Sequence, residues 1–418
     1  MKRTFSSLRY RNYRLFFVGQ TISQTGSWMQ RIALGWFILV LTHNDAFAVG
    51  LMALAQFLPF TIFGLFAGVL TDRIDARRLV VGTQAAQLVT ASALAWIALG
   101  GFAEPWMLYT IAFLNGCVLV LDVPSRQQLT YRMVGREVLP NAIALNASLF
   151  NASRIFGPSI AGALLGFAGV GVCFLVNAIS FFAVLLGLFL MRTREFFPVE
   201  DFERPSILRG TREGLAYVRT QPRMLIVLAL TLVLSTFTFN YNVTLPVLAK
   251  VTLHGQGYVY GFLSAVFGAG ALAGALFAAS RARASLRVLL LGAGVFTGAT
   301  GLLAIGHDVW FAGVLLFLVG AGFTAWSANS NASVQLAAPD RLRGRIIGIY
   351  FYAFNGTGPF AGLFAGWLCA VGGTDLAFLI AGAAGVAGTA IAARRLQLRR
   401  PRHEPAPRFA LVRNRPST

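Results

Sequence analysis

Two stretches decide the architecture: Asn151-Ala-Ser-Arg154-Ile-Phe-Gly157-Pro158-Ser-Ile-Ala-Gly162 and Asn355-Gly-Thr-Gly358-Pro359-Phe-Ala-Gly362. Each sets an asparagine, a Gly-Pro pair and a second glycine in one order within an apolar run. The repeat extends beyond them. Gly50-Leu-Met-Ala53 resembles Gly261-Phe-Leu-Ser264, and Gln128-Leu129 with Gly135-Arg136 resembles Gln335-Leu336 with Gly344-Arg345. The offsets are 211, 207 and 201 residues, so order is kept with small gaps. A chain that repeats at half its length is built of two related units. In a membrane, two such units suit a transporter that rocks about a site at their interface.

Composition supplies the membrane. The 418 residues are 56% hydrophobic and 12% charged, with mean hydropathy +0.68. A soluble domain carries roughly 25% charged residues, and a bilayer-spanning helix needs about 20 apolar ones. Apolar runs cover 14–42, 48–71, 79–100, 106–130, 141–168 and 170–191, then 223–249, 258–280, 288–306, 309–336, 346–371 and 374–393. Runs past 20 residues imply tilt or extension beyond the bilayer. The expected fold is an all-α integral membrane protein with twelve transmembrane helices in two pseudo-symmetric six-helix halves. Residues 1–191 form the N-terminal half, 192–222 a cytoplasmic linker, 223–393 the C-terminal half and 394–418 a basic cytoplasmic tail. Leu208, Leu215 and Val218, set among linker arginines, predict a short helix lying on the membrane surface.

Net charge is +20, yet its placement argues against nucleic acid. Of 35 basic residues, 31 lie in the leader, in alternate loops or in the tail. The intervening loops hold Lys250 with Asp45, Glu104, Asp308 and Asp375. This positive-inside pattern predicts a multi-pass protein of the cell inner membrane with both termini cytoplasmic. Its juxtamembrane arginines meet anionic lipid head groups. No folded basic domain remains for a nucleic acid. Cys117, Cys173 and Cys369 sit in apolar runs and read as packing residues. The leader shows no small-residue cleavage site after a short apolar core. The four histidines are dispersed and no phosphate-binding loop occurs, so neither a cofactor nor an enzymatic site is expected.

Ionisable residues inside spans are expensive and usually functional. They are Arg31, Asp122, Arg126 and Arg154. Asp122 and Arg126 are four apart on one helix, so they can pair. Asn115 shares their face, which is expected to line a cavity. Burial favours the protonated form of Asp122 and Arg126 the ionised one. Proton carrier and fixed gate pair both stay open. Gln20, Gln24, Ser27 and Arg31 recur at helical spacing on the first span, with Trp28 beside them. Arg31 suits an anionic or carbonyl-rich substrate, or excludes cations; the alternative is an internally paired arginine. Trp28 suits an aromatic ligand or plain packing. Asn151 and Arg154 in the fifth span are further candidates for the cavity wall, as are Ser235, Thr238, Asn242, Asn329, Asn331, Tyr352 and Asn355 in the later spans.

Gly68-Val-Leu-Thr-Asp72-Arg73-Ile-Asp75-Ala-Arg77-Arg78 ends the second span. Gly68 permits close helix approach, and Asp72 can accept from arginines or a helix N-terminus. Asp72, Arg73, Arg77 and Arg78 therefore read as a latch at the cytoplasmic face; a solvated positive-inside loop is the plainer reading. The stretch resembles the G-x-x-x-D-R-x-G-x-R-R signature of the major facilitator superfamily, with Asp75 where that family has glycine. Gly157-Pro158 resembles the G-P-x-x-x-G element of its antiporters, implying a hinge that limits ion leak. Leu121 to Leu129, with Gly26 to Trp36, is similar to the enterobactin-exporter-like subgroup, which includes macrolide-efflux-type proteins. Ala112-Phe-Leu-Asn115-Gly116 stands where many drug–proton antiporters carry R-F-L-Q-G, so their relay arginine is missing. The resemblance implies a monomeric exporter of a drug-like or siderophore-like small molecule, driven by proton antiport. Import of a sugar or organic acid is the alternative. A membrane receptor or enzyme is a third reading, with no residue cluster to support it.

Overall fold

The computed structural model describes residues 5–198, 207–280, 285–339 and 342–398. Within these the chain is helical. Before the linker come α1 (Arg11–Leu41), α2 (Ala46–Arg73), α3 (Ala76–Gly100), α4 (Pro105–Phe167) and α5 (Val170–Phe189). The linker contributes α6 (Ile207–Thr220). After it come α7 (Pro222–Val233), α8 (Tyr241–Val247), α9 (Gly257–Ala279), α10 (Leu286–Leu302), α11 (Val309–Ala337), α12 (Arg343–Asn355) and α13 (Gly358–Leu398).

Two elements are too long for one crossing, and glycine divides both. α4 breaks at Gly135, with φ 71° and ψ 177°, a region that only glycine occupies without strain. α13 breaks at Gly372–Gly373, where φ reaches 68°. Nine stretches among the described residues are long and apolar enough to cross a membrane, each divided element falling inside one of them. α1 is not among the nine, because its polar stripe lowers its hydropathy. With the divisions made and α1 included, the helices follow the twelve apolar runs. Acidic loop residues start several helices. Asp45 accepts the Phe47 N–H at 2.8 Å, and Asp308 accepts those of Trp310 and Phe311 at 2.9 Å. Each caps donors that a helix start leaves unpaired.

The outer surface is apolar. Trp96, Phe167, Leu291 and Trp310 are each about 70–80% exposed on the isolated chain. Such a surface is stable only in lipid. The helix ends divide into a basic end, carrying the arginine-rich loops, and a far end.

Two seams join the helices before the linker to those after it. In one, the second arm of α4 meets α9. A methyl on Gly261 would lie 2.3 Å from Gly162 Cα. In the other, α2 meets α13, and a methyl on Gly366 would lie 2.7 Å from Gly50 Cα. Gly50 and Gly261 are related by the sequence repeat, so the two seams answer to one another. Both start at the far end, four residues into α2 and α9. Trp36 of α1 stacks on Tyr260 of α9, with Lys250 over the same indole at 5.1 Å. Thr61 donates to the Gly356 carbonyl at 3.0 Å, about 23 Å down α2 from Ala46. The linker is held at both sides. The Phe197 N–H donates to the Arg132 carbonyl at 2.8 Å, and Glu213 of α6 pairs with Arg345 of α12. Val218 is buried and Leu215 exposed, while the side chain of Leu208 lies outside the described residues.

Candidate functional site

The polar groups of the interior fall into two layers. The lower layer sits towards the basic end. Asp122, 1% exposed, accepts from Thr83 Oγ1 at 2.6 Å and Gln84 Nε2 at 2.9 Å, both on α3. It also pairs with Arg126, one turn along α4. Arg126 in turn donates to Gln20 of α1. Asn115 accepts from Thr90 of α3 at 2.8 Å. The face bearing Asn115, Asp122 and Arg126 therefore packs on α3 and α1. This corrects the expectation that it lines an open cavity. A buried carboxylate needs several donors to offset lost hydration, and α3 supplies them.

The upper layer lies about midway along α1 and the second arm of α4. Gly157 creates it. A methyl there would lie 2.5 Å from Trp28 Cβ, so only glycine seats α4 this closely on α1. The indole of Trp28 is then shared by two cations. The Arg31 guanidinium lies 4.2 Å from its centroid and that of Arg154 5.8 Å. Arg154 also lies 4.7 Å from the ring of Phe267 on α9 and 5.3 Å from that of Phe323 on α11. It reaches across the interface between the two sets of helices. Pro158 lacks an N–H, so the Arg154 carbonyl loses its helical donor. Gly268 of α9 covers that carbonyl, a methyl at Gly268 falling 2.7 Å from it.

The remaining candidates are dispersed. Gln24 sits half-buried on the α1 stripe. Asn151 and Asn355 donate to carbonyls of their own helices, Ala147 at 2.9 Å and Phe351 at 3.2 Å. Asn331 accepts from Gln335. Asn242 and Tyr352 are exposed. Ser235 and Thr238 bond the Ala353 and Ala381 carbonyls, and Asn329 accepts the Ser285 N–H at 3.0 Å. Those three serve helix packing rather than a cavity, since nearby backbone groups take up their side chains. The side chains of Asp72 and Arg73 lie outside the described residues. Arg77 donates twice to the Leu188 carbonyl, at 3.0 and 2.8 Å, tying the start of α3 to the end of α5. Arg78 is exposed, and its N–H donates to Asp75 at 3.1 Å. Asp75 has φ −56° and ψ 124°, a backbone conformation open to any residue, so the glycine of the family pattern is not required here. It caps α3 and pairs with Arg132, work that glycine cannot do.

Phe267, Phe323, Tyr260 and Trp36 were not singled out in the sequence. Aromatic residues make up 13% of the chain, and one facing an arginine looks like one facing lipid.

Residues 2–410 match the family described as "Transmembrane secretion effector". The chain belongs to this family of the major facilitator superfamily. Its relatives include the staphyloferrin A transporter of Staphylococcus aureus, 25% identical over 80% of this chain and 84% of that protein. Macrolide efflux protein A of Streptococcus pyogenes is 23% identical over 79% and 82% of the two chains. The enterobactin exporter EntS of Shigella boydii is 28% identical over 84% and 83%. Among solved structures, the nucleoside transporter NupG superposes with TM-score 0.74 at 12% identity. The superposition covers 92% of this chain and 99% of that one, which establishes the shared fold. Members of this superfamily are multi-pass transporters of small molecules, and this chain is one of them.

Proposed function

We propose that the chain is a secondary exporter of a small organic molecule, working by alternating access and proton antiport in the inner membrane. Residues 1–191 and 223–393 are the rocking halves, 192–222 the linker and 394–418 a basic cytoplasmic tail. The observation that carries the reading is the pair of repeat-related glycine seams at the far end. They close one mouth of the interface above Arg31 and Arg154. With the basic end cytoplasmic, a closed far end suits a state that loads from the cytoplasm. Efflux-type relatives support the outward direction.

In this reading Trp28, Arg31 and Arg154 belong to the substrate cavity, with Gln24 beside them. Asp122 and Arg126 form a gate pair, held by α3 in this state. Gly157 and Pro158 form the hinge. Asp72, Arg73, Arg77 and Arg78 form the cytoplasmic latch, Arg77 bracing it against α5. The chain acts as a monomer among anionic lipids.

Comparing extracellular metabolites of cells with and without the gene identifies the substrate. Everted membrane vesicles then test direction and coupling. Accumulation of that compound, driven by an inside-acid gradient and abolished by an uncoupler, is expected. Uptake into intact cells driven by an outside-acid gradient would establish import instead.

A further inference from the structure

We propose that Arg31 and Arg154 form a two-point binding site for an organic anion bearing an aromatic ring, walled by Trp28, Phe267 and Phe323. The inference rests on the interface being a substrate cavity and goes further by naming what it takes.

The charge balance points there first. Among the described residues, no hydrogen bond or ion pair engages either guanidinium. The one carboxylate read within the spans, Asp122, is held by Arg126, Thr83 and Gln84 in the layer below. The two arginines also repel one another. Their distances to the Trp28 centroid, 4.2 and 5.8 Å, bound their separation at about 10 Å. Two cations this close, partly buried and without a counter-ion, leave an unbalanced positive field. The aromatic faces offset only part of it. A cation–π contact is weak beside the several-fold larger cost of dehydrating an ion. An anion placed between them removes the imbalance.

Geometry then narrows the anion. A guanidinium offers paired donors matched to a carboxylate or similar planar oxyanion. Trp28, Phe267 and Phe323 provide flat apolar faces around the same point. An aryl carboxylate or comparable aromatic oxyanion satisfies both parts, its charge on the guanidiniums and its ring on the walls. A cationic substrate meets two like charges and is rejected. Arg154 belongs to α4 while Phe267 and Phe323 belong to α9 and α11, so the ligand bridges both sets of helices.

Binding to the purified full chain in detergent tests this without gradient or direction. The probes are 1-naphthoate and its neutral isostere 1-naphthamide, read by calorimetry and by tryptophan fluorescence. Naphthoate is expected to bind at least about 10-fold tighter than the amide, the weight of one charge-assisted hydrogen bond. Arg31→Gln and Arg154→Gln should each remove most of that preference. Arg31→Lys should keep part of it. Equal affinity of wild type for the two probes, binding of neither, or full preference in both glutamine variants would overturn the proposal. The wild-type comparison needs no variant to fold. A missing anion preference leaves the export reading standing, and a failed vesicle experiment leaves the binding result standing.

Discussion

Adding a methyl group to Gly261 should open the far end of the molecule. At that position a Cβ would lie 2.3 Å from Gly162 Cα, 2.7 Å from Gly162 N and 2.8 Å from the Pro158 carbonyl oxygen. Carbon atoms rest about 3.5–4.0 Å apart. The neighbours are backbone atoms, which no rotamer change can move, so α9 and α4 must separate by more than about 1 Å. Overpacking of this kind costs about 1–3 kcal/mol. Charged against one of two conformations, that shifts their ratio about 5- to 150-fold. Gly166→Ala is the control. It lies one turn beyond Gly162 on α4, and its Cβ would meet nothing within 4 Å. Both substitutions raise helix propensity alike. Spin labels at Glu104→Cys and Gln256→Cys, in a background without native cysteines, report the far-end separation. Gly261→Ala should populate a longer distance and slow transport; Gly166→Ala should do neither. Identical distance distributions in the two variants would refute the seam as the closing element.

Four further outcomes rest on contacts described above. Asp122→Asn strands Arg126 and should destabilise the protein by about 3–5 kcal/mol; adding Arg126→Gln should restore much of the lost Tm, and a double variant no better than the single would contradict the pairing. Gly135→Ala forces a side chain into backbone at φ 71° and 3.0 Å from the Phe197 ring, so a loss of about 1–3 kcal/mol in thermal unfolding is expected. Burial raises the Asp75 carboxyl, but the Arg132 hydrogen bond, the Arg78 and Arg77 N–H groups and the Arg132 charge outweigh it and hold it below the ordinary range. A depressed carboxylate stabilises above its unfolded value, and that stability disappears as pH falls through the folded value. The Tm of wild type should therefore drop more steeply below about pH 4 than that of Asp75→Asn. Asp75→Ala should lose about 1 kcal/mol more than Asp75→Asn at neutral pH, since asparagine still caps α3.

The helix pattern was legible because lipid imposes it. Apolar runs of bilayer length admit little else, and repeat-related glycines marked where backbones meet. The sites were less legible, for two physical reasons. Helical spacing says which residues share a face but not what that face touches. Asn115, Asp122 and Arg126 did share one, and α3 occupied it. Asn329 similarly turned to the start of α10. Aromatic residues posed the second difficulty. Nothing in the neighbourhood of Phe267 or Phe323 separates a ring under a guanidinium from a ring in lipid. The clue that survived was Arg154 itself, a cation in an apolar run with no acid at helical spacing. Asp75 shows the opposite case, where a departure from a family pattern marked a new bond rather than a defect.

Arg154, Pro158 and Gly162 are spaced four apart on one face of α4. The first carries a charge without an ion-pair partner among the described residues, the last is the contact point of the seam, and the hinge proposed above lies between them. A load applied at Arg154 acts on a short lever, about 6 Å from its fulcrum at the proline. The opposite arm is equally short, so displacement at the guanidinium returns at the glycine contact with little gain or loss. Because Gly268 covers the carbonyl that Pro158 leaves free, bending the joint also exposes or shields a polar atom. Ligand engagement and far-end opening would then be two readings of a single rotation.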